Sequence, residues 1–207
     1  NIRLKDLDQK DKVSELAFDL SLCKSGKPVN SKDISKIFRI NSEDKVYYDY
    51  AKEIEALNFS GKGFLTGSID LMFCDNKNKN ESRWWILDWK SNWIGTGENS
   101  LEKNTCGPNN YSESNMMREM VKHHYLLQAN IYSVALHRFL RWRLPNYSPK
   151  KHLGGYIYLF LRGVPSEREY EDNSIKKTVK VPGLIINSFN QERLYELDKL
   201  LLEGKNE

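Results

Sequence analysis

Two short apolar runs, each carrying a single acid, constrain this chain more than any other feature. The first is Gly63-Phe64-Leu65-Thr66-Gly67-Ser68-Ile69-Asp70-Leu71, continuing to Phe73. The second is Trp84-Trp85-Ile86-Leu87-Asp88-Trp89, followed by Lys90. Runs of this length, rich in aromatic and β-branched residues, read as strands over 64–73 and 84–89. The polar, Asn- and Lys-rich stretch 75–81 between them reads as the turn of an antiparallel hairpin. Residues i and i+2 of a strand share a face, so Asp88 and Lys90 stand side by side. Asp70 meets Asp88 across the hairpin.

Elements of both kinds surround this hairpin. Val13, Leu16, Phe18, Leu20 and Leu22 alternate with polar residues and predict a strand over 13–22. Ser31 is placed to N-cap a short helix through residue 38, and Val46, Tyr50, Ile54 and Leu57 set a helix over 43–57. Gly61-Lys62-Gly63 is a turn. Residues 91–110, rich in Gly and Asn, form a long loop, and loops of that length in a compact domain are often functional. One long helix is predicted over 113–142, ended by Pro145. A buried strand follows at 155–161, then a charged loop at 165–180. A last strand over 184–186 and a helix from Asn190 through residue 202 close the chain. Strands in the middle with helices around them predict an α/β fold with a central mixed sheet flanked by helices.

The totals exclude several classes. The chain has 207 residues with 39% hydrophobic and 29% charged, the size and composition of one globular domain. Cys23, Cys74 and Cys106 are odd in number and far apart, which argues against a disulfide framework or a zinc ribbon and for free thiols in a reducing cytoplasm. There is no apolar run of membrane-spanning length and no G-x-x-x-x-G-K-S/T, G-x-S-x-G or H-E-x-x-H motif. The net charge of +4 permits a polyanionic partner without demanding one. Lys90, Lys122, Arg138, Arg141, Arg143, Lys150, Lys151 and Arg162, with Trp93, Tyr125 and Trp142 nearby, fit either single-strand binding or a solvated helix face with aromatic anchors in the core. Of the five tryptophans, Trp93 is expected to be exposed and the others to be mostly core or interface. The chain opens at Asn1 on charged residues and reads as a fragment of a longer protein.

Two carboxylates and an ammonium converging at a strand suit phosphodiester hydrolysis. Carboxylate oxygens hold a hard divalent cation, which neutralises phosphate oxygens and lowers the pKa of a bound water. A lysine beside them steadies the attacking water or the growing charge. D-x-K alone is a weak pattern. It gains weight because Ile86-Leu87 and Ile69 directly precede the acids, and a charge ending an apolar run is costly to place without a partner.

The runs at 63–71 and Ile86-Leu87-Asp88-Trp89-Lys90-Ser91-Asn92-Trp93 resemble motifs II and III of RecB-family nucleases, within the PD-(D/E)xK superfamily. Leu127-Gln128-Ala129-Asn130-Ile131-Tyr132 is similar to the family's Q-x-x-x-Y motif, and residues 137–141 and 154–163 resemble it further, so the likeness covers about residues 60–200. It implies a restriction-endonuclease-like core and a single nuclease domain over 1–207. It also implies Mg²⁺ held by Asp70, Asp88 and the backbone carbonyl of Trp89, with Lys90 catalytic. Gln128 and Tyr132, with Tyr125, would form a helix ridge that meets DNA or braces the site, and Glu15 resembles the acid ahead of motif II. The parent would be a cytoplasmic, RecBCD-like helicase–nuclease acting on DNA breaks with RecC- and RecD-like subunits. The family's metal-binding histidine belongs to a helix ahead of the first strand, and none of His123, His124, His137 and His152 lies there. That helix is expected to be absent from this chain together with the helicase part, with His123 or His124 a conceivable distant substitute. The rival expectation is a nuclease-like module that guides DNA or docks subunits without cutting. The intact trio argues against it.

Overall fold

The computed structural model describes residues 4–23, 27–40, 45–76, 82–95, 105–166 and 181–203. Its centre is a five-stranded mixed sheet. Strands β1 (Lys12–Leu22), β4 (Gly63–Asp75), β5 (Arg83–Lys90), β6 (Leu153–Phe160) and β7 (Leu184–Ser188) lie in that order across it. All neighbours run antiparallel except β5 and β6, which are parallel. A parallel pair needs a long crossover. Here it contains α3 (Glu113–Lys122), α4 (Tyr125–Arg143) and the single turn α5 (Pro149–His152). A two-stranded ladder of β2 (Val29–Asn30) and β3 (Ser60–Gly61) brackets α1 (Ser31–Phe38) and α2 (Lys45–Ala56), and α6 (Gln191–Glu203) closes the described chain. The expected α/β architecture with a mixed sheet and flanking helices is the one observed.

The buried residues of α1–α4 and α6 join one core with Met72, Ile86, Tyr156 and Tyr158 of the sheet. The other sheet face carries a smaller cluster of Leu71, Phe73 and Leu87 against Leu4 and Leu7. Cys23 and Cys74 are buried and Cys106 half-buried, all three as free thiols. Among the described residues no helix is long and apolar enough to cross a membrane.

Four expectations are corrected. The helix over 113–142 is two helices, because His124 adopts left-handed backbone (φ 56°, ψ 27°) and interrupts the ladder between α3 and α4. The Tyr50 hydroxyl lies 2.9 Å from His124 Nδ1 and fixes the ring at this corner. The N-cap of α1 is Asn30 rather than Ser31: Asn30 is extended and its Oδ1 accepts from the Asp33 N–H at 2.9 Å. Trp89 and Trp142 are exposed along with Trp93, and Trp142, at 76%, is more open than Trp93 at 47%. The strand expected over 155–161 ends at Phe160, where Leu161 begins a 3₁₀ turn. The start of the helix expected at 43, most of the turn 75–81, and the middles of the loops 91–110 and 165–180 lie outside the described residues.

The strand β1 changes face partway along. Val13 and Leu16 both pack on the large core, although three residues apart they would oppose each other in a regular strand. On β4, Ile69 and Met72 do the same. Between them lies Glu15, with φ 53°, flanked by the pairs Ser14↔Leu71 and Leu16↔Ile69. A left-handed residue inside a strand reverses the alternation at one point, and that point is the register position opposite Asp70.

Candidate active site

The acids meet where two strands part. Pairing between β4 and β5 runs from Asp75↔Arg83 to Leu71↔Leu87 and then stops, so Asp70 and Asp88 occupy the next register position. The Asp70 side chain takes over the ladder there: its Oδ2 accepts from the Trp89 N–H at 2.9 Å. On the other side β5 continues beside β6, pairing Asp88↔Tyr158 and Lys90↔Phe160. Directly paired residues share a face, so Asp88, Lys90 and Tyr158 look toward α4.

Asp88 is buried, and its surroundings are poor in donors. Burial pushes its carboxyl above the ordinary carboxylate range; contact with Lys90 pulls it back and the charge of Asp70 pushes it up again. Lys90 Nζ lies 2.5 Å from Asp88 Oδ1. That oxygen nonetheless accepts no well-directed hydrogen bond, so the contact is an ion pair with acceptor capacity left over.

Lys90 is caged on its remaining sides. Its Nζ donates to Gln128 Oε1 at 3.1 Å and sits 4.0 Å from the centre of the Tyr125 ring and 5.2 Å from that of Tyr158. Gln128 is held from both ends. Its Nε2 donates to the Tyr132 hydroxyl at 2.9 Å, and its Oε1 lies 2.9 Å from the Tyr158 hydroxyl. The single Tyr158 proton is shared with the Tyr125 carbonyl at 3.1 Å. Burial, with the charges of Asp88 and Asp70, raises the Tyr132 phenol to about 12, so it stays a neutral hydroxyl. Tyr158 is pushed up further by burial and by Asp88.

The structure therefore gathers Asp70, Asp88, Lys90, Tyr125, Gln128 and Tyr132 into one site. Glu15 sits opposite Asp70 on β1 with an exposed side chain. Among the described residues no group of three His, Cys, Asp or Glu is gathered closely enough to hold a metal, so the two aspartates stand without a third such ligand. His123 Nε2 is 3.1 Å from Glu119 Oε2 and His124 Nδ1 is taken by Tyr50, which leaves neither as a substitute ligand at the aspartates. Of the basic candidates, Arg138 and Arg141 pair with Asp198 of α6 at 2.6 and 3.7 Å, a helix-to-helix clasp away from the acids.

Two contributors escaped the sequence reading. Tyr158 lies within the run 154–163, but only the parallel register reveals it as the neighbour of Asp88. Asn92 pins the loop after β5. Its Oδ1 accepts from the Tyr125 hydroxyl at 3.2 Å, its Nδ2 donates to Glu119 Oε2 at 3.3 Å, and its carbonyl accepts from the Tyr111 hydroxyl at 2.6 Å. It thereby sets the ring on which the Lys90 ammonium rests.

The donor set fits a hard divalent cation: a buried carboxylate oxygen with unused acceptor capacity beside a second carboxylate. Magnesium is commonly bound by one or two carboxylates, with water and substrate phosphate completing its octahedron.

No protein-family model matches the chain. Its sequence is 40% identical over 124 residues to the RecB subunit of the RecBCD enzyme of Escherichia coli, covering 60% of this chain and 9% of that protein. It is 31% identical over 173 residues to the RecB subunit of Mycolicibacterium smegmatis, covering 79% and 15%. The RecB subunit of Buchnera aphidicola subsp. Baizongia pistaciae is 33% identical over 165 residues, covering 79% and 12%.

Proposed function

We propose, for a chain that is RecB-related over most of its length yet spans only 9–15% of these relatives, that it is a metal-dependent nuclease domain hydrolysing DNA phosphodiester bonds. The observation that carries this reading is the placing of Asp70, Asp88 and Lys90 at one parting of strands, with a buried Asp88 oxygen left short of donors. Asp70, Asp88 and the Trp89 carbonyl would hold Mg²⁺. When bound, the ion supplies charge neutralisation at the scissile phosphate and a more acidic water.

The residues of the chain do the rest. Asp70 is fixed by the Trp89 N–H, so its carboxylate does not swing away from Asp88. Lys90 keeps its ammonium at the acids through Gln128 and the Tyr125 ring, even when Asp88 turns its charge to another cation. From there it stabilises negative charge growing on the phosphate or its attacking oxygen. Gln128, Tyr132 and Tyr158 form the brace that holds this lysine. In the same reading the chain is a single nuclease domain of a cytoplasmic RecBCD-like helicase–nuclease that works on DNA breaks with RecC- and RecD-like subunits.

The test is linear DNA incubated with Mg²⁺ and the wild type or Asp88→Ala. Shortening by the wild type alone is expected, and equal cleavage by both refutes the assignment. Calorimetric titration with Mn²⁺ gives a second readout, with heat of binding expected for the wild type and lost in Asp88→Ala.

A further inference from the structure

An open groove of about 280 Å³ lies between α4 and the outer half of the β1–β4 pair. Phe18, Leu127 and Ile131 give it apolar walls, and Thr66, His124 and Gln128 a polar rim. Two residues of the groove, Gln128 and Tyr132, belong also to the brace around Lys90. The groove therefore shares a wall with the acid–lysine site.

The wall is built rather than incidental. The Phe18 ring lies over Gly67, its register partner, where a Cβ would stand 2.5 Å from Phe18 Cζ. With no side chain at 67 the ring drops across β4 and meets Tyr132 edge-on, with centroids 5.7 Å apart. Two aromatic rings thus hold each other at fixed angles beside the catalytic brace. None of the lining residues is Lys or Arg. That setting offers a phosphate no lysine or arginine. It suits a flat, uncharged ring with hydrogen-bonding edges.

We propose that this groove receives one nucleobase of a single DNA strand, splayed from its backbone while the adjoining phosphate lies at Asp70, Asp88 and Lys90. The inference rests on the nuclease reading and adds a base subsite to it. Apolar faces take the ring, Thr66, His124 and Gln128 offer partners to its edge, and the charged site next door takes the backbone. Such a subsite favours a strand whose bases are unpaired, because a base stacked in a duplex cannot enter. Stacking of this kind tolerates any base, so little sequence preference is expected.

The test compares a labelled single-stranded oligonucleotide with one of equal length and charge whose bases are replaced by abasic sites. Binding to the 207-residue chain is read by fluorescence anisotropy in calcium, with strand integrity checked on a gel. The wild type should bind the base-bearing strand about tenfold more tightly, within the range that one stacked base contributes. Ile131→Trp and Leu65→Trp each fill the groove from a half-exposed position, and either should reduce the ratio toward one without weakening abasic binding. Two variants are specified so that a folding failure in one leaves the other to decide. Equal binding of both strands by the wild type overturns the base subsite and leaves the nuclease reading standing. A preference that survives both fillings places the base elsewhere and also overturns it. Binding of neither strand rejects the nucleic-acid reading and the subsite together.

Discussion

Removing either member of the Asp88–Lys90 pair should have opposite consequences for stability and the same consequence for activity. The two side chains are 3% and 12% exposed with their charged atoms 2.5 Å apart. At an effective dielectric of about 20 that separation corresponds to roughly 7 kcal/mol of gross attraction. Yet burial is the largest influence on the Asp88 carboxyl and leaves it raised despite the lysine. The desolvation of Asp88 therefore outweighs what Lys90 returns. Lys90→Met strands a buried carboxylate and should destabilise the chain by about 3–5 kcal/mol in chelator, the usual cost of breaking a buried pair. Asp88→Asn removes the desolvated charge, while the ammonium keeps Gln128 Oε1 and the Tyr125 ring. It should be neutral or stabilising by about 1 kcal/mol.

Urea denaturation of both single variants and the double variant, in chelator, gives the full cycle. Both singles should lose DNA cleavage. A loss of more than about 2 kcal/mol for Asp88→Asn, or a harmless Lys90→Met, would refute the reasoning, because Asp88 would then be a structural residue with a satisfied charge. The expected pattern instead marks an acid kept at the expense of stability, the signature of a functional group.

Three further outcomes follow from the packing. Gly155→Ala puts a Cβ 2.0 Å from the Asn187 carbonyl oxygen, a backbone atom, so β6 and β7 must separate and the thermal midpoint should fall by the equivalent of at least about 2 kcal/mol. Glu15→Gly relieves left-handed backbone at φ 53° and should raise stability by about 0.5–1 kcal/mol after allowing for the freer unfolded chain, read as a higher melting temperature. Buried His137 lies 2.9 Å from the Tyr147 hydroxyl, and burial holds its pKa below the ordinary 6.5 despite Asp198 nearby. Its folded pKa is thus depressed, so its contribution is present above about pH 6.5 and lost as pH falls through the folded value. The urea midpoint should drop on acidification, and less steeply in His137→Gln.

The hairpin and its acids were legible because local physics decides them. A polar stretch between two apolar strands gives antiparallel neighbours, and period-two geometry puts Asp88 and Lys90 on one face. Gln128 and Tyr132 were legible as a helix ridge, and the ridge turned out to brace the lysine. The break at His124 was not, because no Gly or Pro marks it. A left-handed histidine is set there by tertiary contact with Tyr50, which no local rule encodes. The face change in β1 did leave a trace, the odd spacing of Val13 and Leu16, which a reading of simple alternation passed over.

Tyr158 was illegible for a more general reason. Its place beside Asp88 depends on β6 returning parallel to β5 after a crossover through three helices. A parallel neighbour has no hairpin turn to announce it and no fixed sequence offset. The acids of this site are therefore written in local pattern, and the cage around the lysine is written in topology. That division has a physical consequence. Local pattern brings two carboxylates and a lysine to one place, but leaves the long lysine side chain few partners besides Asp88. The crossover, by delivering Tyr125, Gln128 and Tyr158 to the same point, holds the ammonium there to offset the repulsion of the acids. A substitution that loosens α4 from the sheet should release the lysine before it disturbs the acids, so catalysis should fail ahead of divalent-cation binding.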